Sequence, residues 1–435
     1  ARDLVATLRG SATTEGERAE AELLGCRIEL DTHELPAAIA ACERAWLAAE
    51  AAGADLVAID ALITGAAAHT ALDHPREAMR LVELAGAKLR AVGAPAELRL
   101  RLDGERTAAQ GRIDPGSAVA LAEHDVAAVE RELGPDSTRL LLPLNRWAVQ
   151  ARDSGDLATA REIHGRALAL AERRLGPMHP RVAAVLNNLG ANEWAAGNHV
   201  LALALLERSL AIKRMSPGWS TTRTATGWAN LADVHMALGD HTTAIVHARR
   251  ALDVRLHAFG EHATAVADSR QILARALRLA GAHDEAMAEA ERALAAVDAS
   301  EPSGLADEMW LELAWNELDA GRTAAARAGF VEVIDAHDGV DVAELASAWL
   351  GLVLTNAADG AWADADDAWA EVTRVLADFP GDPLIGADAA LRYARALAAF
   401  DPARAHELRE HARATYLRHA PFHPALVRIA LEAAT

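Results

Sequence analysis

Histidine is the residue type in this chain with the widest chemical repertoire, and eighteen histidines occur among the 435 residues. His235, His241 and His247 recur every six residues, a spacing that does not keep them on one face of a helix. His419 and His423 lie four residues apart, but no cysteine or carboxylate completes a zinc ligand set with them. We therefore predict that the chain has no metal site and no cofactor.

The motifs of common catalytic sites are missing from the sequence as well. It contains no phosphate-binding loop with a lysine, no His-Glu-x-x-His helix and no Gly-x-Ser-x-Gly turn. Asp364, Asp366 and Asp367 form an acidic group, but they begin a helical pattern, where negative charge complements the helix dipole. We predict that this chain is not an enzyme, and that any kinase or other catalytic domain would lie outside it.

A repeating pattern of small residues defines the elements that would position any functional side chain. Gly155, Gly197, Gly239 and Gly281 are spaced 42 residues apart, and two further glycines follow after 40 and 39 residues. An alanine lies five residues after each glycine, and the alanines continue in both directions where the glycine is replaced. The pattern predicts an all-α protein, a right-handed α-solenoid of about ten helix pairs of 39–42 residues each. The ten alanines are Ala38, Ala78, Ala118, Ala160, Ala202, Ala244, Ala286, Ala326, Ala365 and Ala405.

The best-formed repeat shows how one helix pair is built. Residues 181–196 have the periodicity of a first helix, and residues 199–214 that of a second. Gly197 provides the turn, because glycine tolerates the left-handed conformation that often ends a helix. Gly190 and Ala202 are small, which predicts that the two helices cross closely at these positions.

The regularity of the repeats suggests three parts. Residues 1–135 hold degenerate repeats, residues 136–300 hold the regular 42-residue repeats, and residues 301–435 hold divergent, tryptophan-rich repeats. Both ends resemble half-units. Residues 1–10 have the pattern of the tail of a preceding second helix, and residues 421–435 that of a closing helix that covers the last apolar face.

Composition and charge exclude several classes of function. The 43 basic and 63 acidic residues give a net charge of −20, which repels phosphate backbones and anionic membranes, so we expect no nucleic-acid partner. No apolar stretch approaches the roughly 20 residues that span a bilayer, so we expect no membrane insertion. Cys26 and Cys42 are interpreted as small buried hydrophobic residues in a reducing compartment, which predicts a cytoplasmic protein without a disulfide framework.

The regular repeats match the tetratricopeptide pattern at its small and large positions. The segment LGPMHPRVA at 175–183, followed by LNNLG at 186–190, resembles the repeat of kinesin light chains and their bacterial relatives. This resemblance implies a non-catalytic helical array that binds a protein or peptide ligand in a concave groove.

In kinesin-light-chain-like repeats, the second asparagine of the Leu-Asn-Asn-Leu motif faces the groove and hydrogen-bonds the backbone of an extended peptide. Here that position holds Arg146, Asn188, Asn230 and Ile272 in successive repeats, so the resemblance implies a short ladder of amides. The alternative is that these asparagines bridge neighbouring helices. The residues predicted to bind protein or peptide are Asn145, Arg146, Asn187, Asn188, Trp194, Asn230, Asp233 and Arg275.

At a coarser level the chain resembles the C-terminal repeat regions of myxobacterial serine/threonine kinases, in which irregular repeats precede better ones with a Gly-Pro-x-His-Pro linker. This implies the docking or regulatory region of a larger bacterial signalling protein. The alternative is the ligand- or peptide-sensing helical region of a transcriptional regulator, although these 435 residues supply no basic recognition helix.

Tryptophan is concentrated in the C-terminal part, where five of the ten lie within 60 residues. An exposed aromatic cluster would form a face for homo-oligomerisation. The alternative is that these large rings fill gaps that alanine leaves in the core. The five are Trp310, Trp315, Trp349, Trp362 and Trp369.

Overall fold

The computed structural model describes residues 2–31, 35–72, 74–93, 95–215, 221–261, 263–296, 304–335, 342–377, 383–420 and 423–432. These residues form twenty-two α-helices and two short 3-10 turns, and none of them forms a strand. The predicted all-α class is confirmed. No described helix combines the length and the apolar character needed to cross a bilayer.

The chain divides into two compact units, Ala1–Asn188 and Leu189–Thr435, with the boundary inside helix α10. The helices that begin in unit 1 are α1 Arg2–Ser11, α2 Glu15–Asp31, α3 Leu35–Ala52, α4 Asp55–Ala71, α5 Pro75–Val92, α6 Ala96–Ile113, α7 Ala118–Leu133, α8 Leu141–Asp153, α9 Leu157–Leu175 and α10 Pro180–Ala195. Unit 2 continues with α11 His199–Met215, α12 Thr221–Ala237, α13 His241–Phe259, α14 Thr264–Leu279, α15 His283–Ala296, α16 Gly304–Asp319, α17 Thr323–Asp335, α18 Val342–Ala358, α19 Trp362–Ala377, α20 Pro383–Leu397, α21 Pro402–His419 and α22 Pro424–Glu432.

Ten helix pairs run from α2–α3 to α20–α21, with α1 before them and α22 after them. The predicted solenoid of about ten pairs is therefore confirmed. The three-part division at 1–135, 136–300 and 301–435 describes the similarity of repeats in sequence, and it remains a prediction.

A glycine with a left-handed backbone ends the first helix of each regular pair. Gly239 has φ of +80°, a conformation that strains any residue with a Cβ atom. The next residue, Asp240, accepts a hydrogen bond of 3.1 Å from the backbone N–H of Thr243 and caps the second helix. The same arrangement follows Gly155. A Gly-Asp pair in the sequence thus fixes where one helix stops and the next begins.

The periodic alanines lie where the helices of a pair meet. All ten are buried, with at most 3% of their surface exposed. At the crossing of α10 and α11, a Cβ atom on Gly190 would lie 2.8 Å from Cγ of Leu206, inside van der Waals contact. The predicted close crossing is confirmed, and it explains why these positions hold the smallest residues.

Four of the five C-terminal tryptophans belong to the main hydrophobic core of unit 2. Trp315 is 6% exposed, and its ring meets that of Phe330 edge-on at 5.1 Å. Trp310 is 37% exposed. The gap-filling interpretation therefore holds for Trp315 and for the three rings that pack partly buried against the same core, which are Trp349, Trp362 and Trp369.

The two cysteines depart from the sequence prediction. Both are buried as expected, but Cys26 on α2 and Cys42 on α3 are joined as a disulfide. The sequence interpretation, in which they are unpaired, was wrong on this point. The reason is that α2 and α3 pack side by side and bring two positions 16 residues apart to a Cα–Cα distance of 5.1 Å, within the range of disulfides.

The start and the end of unit 2 contact each other. The ring of His199, the first residue of α11, lies edge-on to that of His423 at 5.4 Å, although 224 positions separate them. The His423 ring stacks on Tyr416 of α21 at 4.5 Å. A Cβ atom on Gly197 would lie 2.6 Å from the His423 ring, so the turn between α10 and α11 can approach only because this residue is glycine.

Candidate functional site

A cavity of about 460 Å³ opens in unit 1 between α6, α7, α8 and the first half of α10. Apolar side chains form part of its wall, together with four arginines and four carboxylates. Apolar walls with a few placed polar groups are typical of ligand sites. Three residues of the predicted binding set line this cavity, namely Asn145, Arg146 and Asn188.

The two asparagines of this set are in direct contact. Nδ2 of Asn188 on α10 donates a hydrogen bond to Oδ1 of Asn145 on α8, one repeat earlier in the chain. Both side chains are half-buried. Because a carboxamide has two N–H donors and an oxygen with two lone pairs, this bond leaves the Asn145 amino group and the Asn188 oxygen with unused capacity.

Arg146 connects α8 to α6. Its Nη1 donates to the carbonyl oxygen of Gly104 at 2.7 Å, and its Nη2 donates to Oε1 of Glu105 at 2.6 Å. A Cβ atom on Gly104 would lie 2.9 Å from Nη1, so the missing side chain makes room for the guanidinium. Arg146 occupies the position that Asn188 holds in the next repeat, and Glu105 offsets its charge.

Such bridges between successive repeats recur in both units. In unit 1, Arg101 of α6 donates to Asp60 of α4 at 2.8 Å. In unit 2, Nη2 of Arg275 on α14 donates to Oδ1 of Asp233 on α12 at 2.6 Å. Burial raises the pKa of Asp233, and Arg275 offsets this in part. Two residues of the predicted set, Asp233 and Arg275, thus pair with each other across neighbouring repeats.

Asp125 is a cavity residue that the sequence reasoning missed. It lies on α7 and is only 6% exposed, and Oγ1 of Thr107 donates a hydrogen bond of 3.1 Å to its Oδ1. Burial raises the pKa of this carboxyl, against the opposing effects of the Thr107 hydroxyl and the Arg146 charge. The sequence could have indicated this residue, because Asp125 lies in helical register with Ala122 and Val129 on the apolar face of α7.

The other charges that line the cavity mostly have partners. Nη2 of Arg139 lies 2.5 Å from Oε1 of Glu97, and both side chains are more than half exposed. Arg181, at the start of α10, is exposed, and no carboxylate among the described residues pairs with its side chain. Asp103 pairs with Arg106 at 2.8 Å on the helix surface.

The remaining residues of the predicted set lie elsewhere. Asn187 is 7% exposed, and its Oδ1 has no hydrogen-bond partner among the described atoms. Trp194, Asn230, Asp233 and Arg275 belong to unit 2. Trp194 is 39% exposed, and Asn230 is half-buried. Their role in binding stays a prediction.

Unit 2 has its own polar network on the first helices of its pairs. Nε of Arg278 on α14 donates to Glu312 at 2.6 Å, and its Nη1 donates to Asp319 at 2.5 Å, both on α16. Arg392 of α20 lies over the Trp315 ring, 4.9 Å from its centroid. Across the described residues of both units, no group of three or more histidine, cysteine or acidic side chains is arranged to hold a metal ion.

Similarity to a known protein family is found in the regular repeats. A tetratricopeptide repeat family model matches residues 139–215 and 223–299. No curated protein matches the chain.

Two solved Rap structures share the fold at low sequence identity. The apo form of RapI is similar with a TM-score of 0.54 and 11% identity, over 86% of this chain and 98% of that one. A Rap protein complexed with Competence and Sporulation Factor gives 0.53 and 13%, with the same coverage. A putative kinesin light chain from Podosopora anserina with nearly identical TPR-like repeats gives 0.39 and 19%, over 47% of this chain and 99% of that one. The chain thus contains tetratricopeptide repeats at 139–215 and 223–299, within a helical fold that it shares with the Rap structures.

Proposed function

We propose that this chain is a non-catalytic scaffold that binds an extended segment of a partner protein in the cavity of unit 1. The observation that carries the proposal is the contact between Asn145 and Asn188 at the cavity wall. It supplies paired amide groups where a peptide backbone would enter, between helices of successive repeats.

The remaining hydrogen-bonding capacity of this pair suits a peptide backbone. The Asn145 amino group is a donor for a peptide carbonyl, and the Asn188 oxygen is an acceptor for a peptide N–H. The backbone N–H and C=O groups of an extended segment have no partners within the segment. The amide pair can therefore bind such a segment whatever its side chains are. The neutralised Arg146–Glu105 pair adds little net charge beside them.

A screen of random heptapeptides followed by fluorescence anisotropy tests the proposal. We expect Asn188→Ala and Asn145→Ala each to weaken the selected peptides by about three- to tenfold, because each removes one hydrogen bond to the backbone. Asn356→Ala is the matched control, since this half-buried asparagine lies on α18 and does not line the cavity. Circular dichroism checks that every variant remains folded.

If both cavity variants are folded and bind the selected peptides as tightly as the Asn356→Ala control, the cavity is not the binding site. Asn230→Ala then tests whether the amide position of unit 2 binds the segment, as the ladder of amides predicts. The same assay applied to Asp233 and Arg275 tests the rest of the predicted set.

The wider setting is also a proposal. We place the chain in the cytoplasm as the docking or regulatory region of a larger bacterial signalling protein such as a serine/threonine kinase, with a protein partner and no nucleic acid. The net charge of −20 supports the last point. The alternative is the sensing region of a transcriptional regulator; in its favour, a Rap protein of similar fold was solved with Competence and Sporulation Factor. Co-purification of the full-length protein with a phosphorylated substrate, as opposed to a DNA operator, distinguishes the two.

Self-association through the tryptophan-rich part is a separate proposal. Trp310 is 37% exposed and is the most accessible candidate of the cluster for such an interface. Sedimentation of the wild type and of Trp310→Ser measures this directly, and equal monomeric behaviour of both proteins would exclude an interface at this site.

A further inference from the structure

The carboxyl group of Asp125, in the cavity of unit 1, is buried with few hydrogen-bond donors around it. Asp125 is 94% buried, since only 6% of its surface is exposed, and yet its hydrogen bond in the described structure comes from a neutral group, the Thr107 hydroxyl. A buried carboxylate is costly unless a cation or several donors satisfy it. Asp125 therefore lines a ligand cavity with part of its acceptor capacity unused.

The cavity's own arginines do not fill this role. Arg146 is the nearest, since its Nη1 and Oδ2 of Asp125 both approach Gly104, but that guanidinium donates to Gly104 and Glu105. Arg101 is held by Asp60, and Arg139 by Glu97. None of these three guanidinium groups donates a hydrogen bond to Asp125 among the described residues.

We infer that the cavity accepts a lysine or arginine side chain of the bound segment, whose cationic group donates a hydrogen bond to Asp125. The inference rests on the proposed peptide-binding function and specifies the kind of partner: an extended segment with a basic residue. The apolar wall, with Leu100, Val129 and Leu141, would cover the aliphatic stem of that side chain.

Electrostatic balance supports a cationic ligand over an anionic one at this point. The Arg146 charge is offset by Glu105 at 2.6 Å, so it repels an incoming cation only weakly. Asp103 of α6 adds a negative charge near Asp125, and His124 is its titratable neighbour on α7. The exposed Arg181 lies in water, where screening weakens its repulsion of a basic peptide.

The experiment uses four pools of heptapeptides in which the central residue is lysine, arginine, norleucine or glutamate and the other positions are random. Binding of each pool to the full chain is measured by anisotropy. We expect the lysine and arginine pools to bind about tenfold or more tighter than the norleucine pool, because a charge-assisted hydrogen bond forms in a buried setting. The glutamate pool should bind weakest.

Variants assign the preference to the residue. Asp125→Asn should reduce the ratio of lysine to norleucine binding to about one, because it removes the charge and keeps the shape of the side chain. Glu123→Gln is the matched control: it removes a carboxylate from the exposed face of the same helix and should keep the wild-type ratio. A lysine preference that survives Asp125→Asn, or a preference for glutamate, overturns the inference.

The wild type supplies a second measurement in case Asp125→Asn does not fold. Since burial raises the pKa of Asp125 above its ordinary 3.8, protonation should abolish the lysine preference at a pH above that value, while the norleucine pool should change less. A lysine preference that stays constant as the pH is lowered to 3.8 contradicts the inference. If some pools bind through Asn145 and Asn188 but show no basic preference, only this inference fails; if no pool binds, the proposed function fails with it.

Discussion

Two glycines in helix interiors predict opposite effects of the same substitution. Gly351 of α18 is buried, and a Cβ atom there would overlap three atoms of the Phe330 ring. Gly165 of α9 is exposed, and a Cβ atom there would meet no atom within 4 Å. Both positions are helical, so alanine gains the same helix propensity at each.

The magnitude follows from which effect is larger. Replacing glycine by alanine in a helix stabilises it by about 0.5–1 kcal/mol. Overpacking a filled core costs about 1–3 kcal/mol, and here the Phe330 ring cannot retreat, because it is fully buried against Trp315. We therefore expect Gly351→Ala to lower the free energy of unfolding by about 1–2 kcal/mol and Gly165→Ala to raise it by about 0.5–1 kcal/mol.

Urea denaturation followed by circular dichroism measures both free energies. Tryptophan fluorescence gives a second probe, since several rings pack in the same core as Phe330. Phe330→Leu in the Gly351→Ala background should recover part of the loss, because the smaller side chain makes room for the new methyl group. If Gly351→Ala stabilises the protein as Gly165→Ala does, the Phe330 ring does not fill the space beside Gly351.

Three further predictions concern charge, covalent linkage and aromatic packing. Burial, and then the positive charge of His423, lower the pKa of His199 to about 4, so the unfolded chain takes up a proton first as the pH falls. The free energy of unfolding should therefore decrease by up to about 3 kcal/mol as the pH drops from 6.5 towards 4. His199→Gln should flatten this pH dependence, whereas the exposed control His257→Gln should leave it unchanged. If both variants show the same pH dependence of the free energy of unfolding, the buried His199 does not cause it. Under oxidising conditions Cys26→Ser should lose about 3 kcal/mol, as expected for a closed loop of this length, and free-thiol titration of the unfolded wild type should find no thiol. Trp315→Ala should cost about 3–5 kcal/mol and Trp310→Ala less than about 1 kcal/mol in thermal or urea unfolding; equal losses would contradict the core assignment.

Much of the fold could be predicted because its determinants are local. In six of the ten repeats a glycine fixes the turn by its backbone freedom, and an alanine five residues later permits the close crossing of two helices. The other four repeats keep the alanine without the glycine. Counting the alanines was therefore enough to obtain the number of helix pairs.

The candidate site was predicted in part. The resemblance singled out Asn145, Arg146 and Asn188, and all three line the cavity. The predicted set also included Asn187, the first asparagine of the motif, which is buried away from solvent. Asp125 was missed, since a single acidic residue on an amphipathic helix acquires meaning only when its neighbours in space are known.

The sequence by itself determined the helices, their pairing and their turns, because propensity, glycine conformation and small-residue contacts act within one repeat. The tertiary structure alone decided which side chains of different helices meet: the Asn145–Asn188 contact, the Cys26–Cys42 disulfide and the meeting of His199 with a histidine 224 positions away. Those contacts depend on the angles at which successive helices pack. Small rotations add up along a stack, so no single repeat encodes their sum.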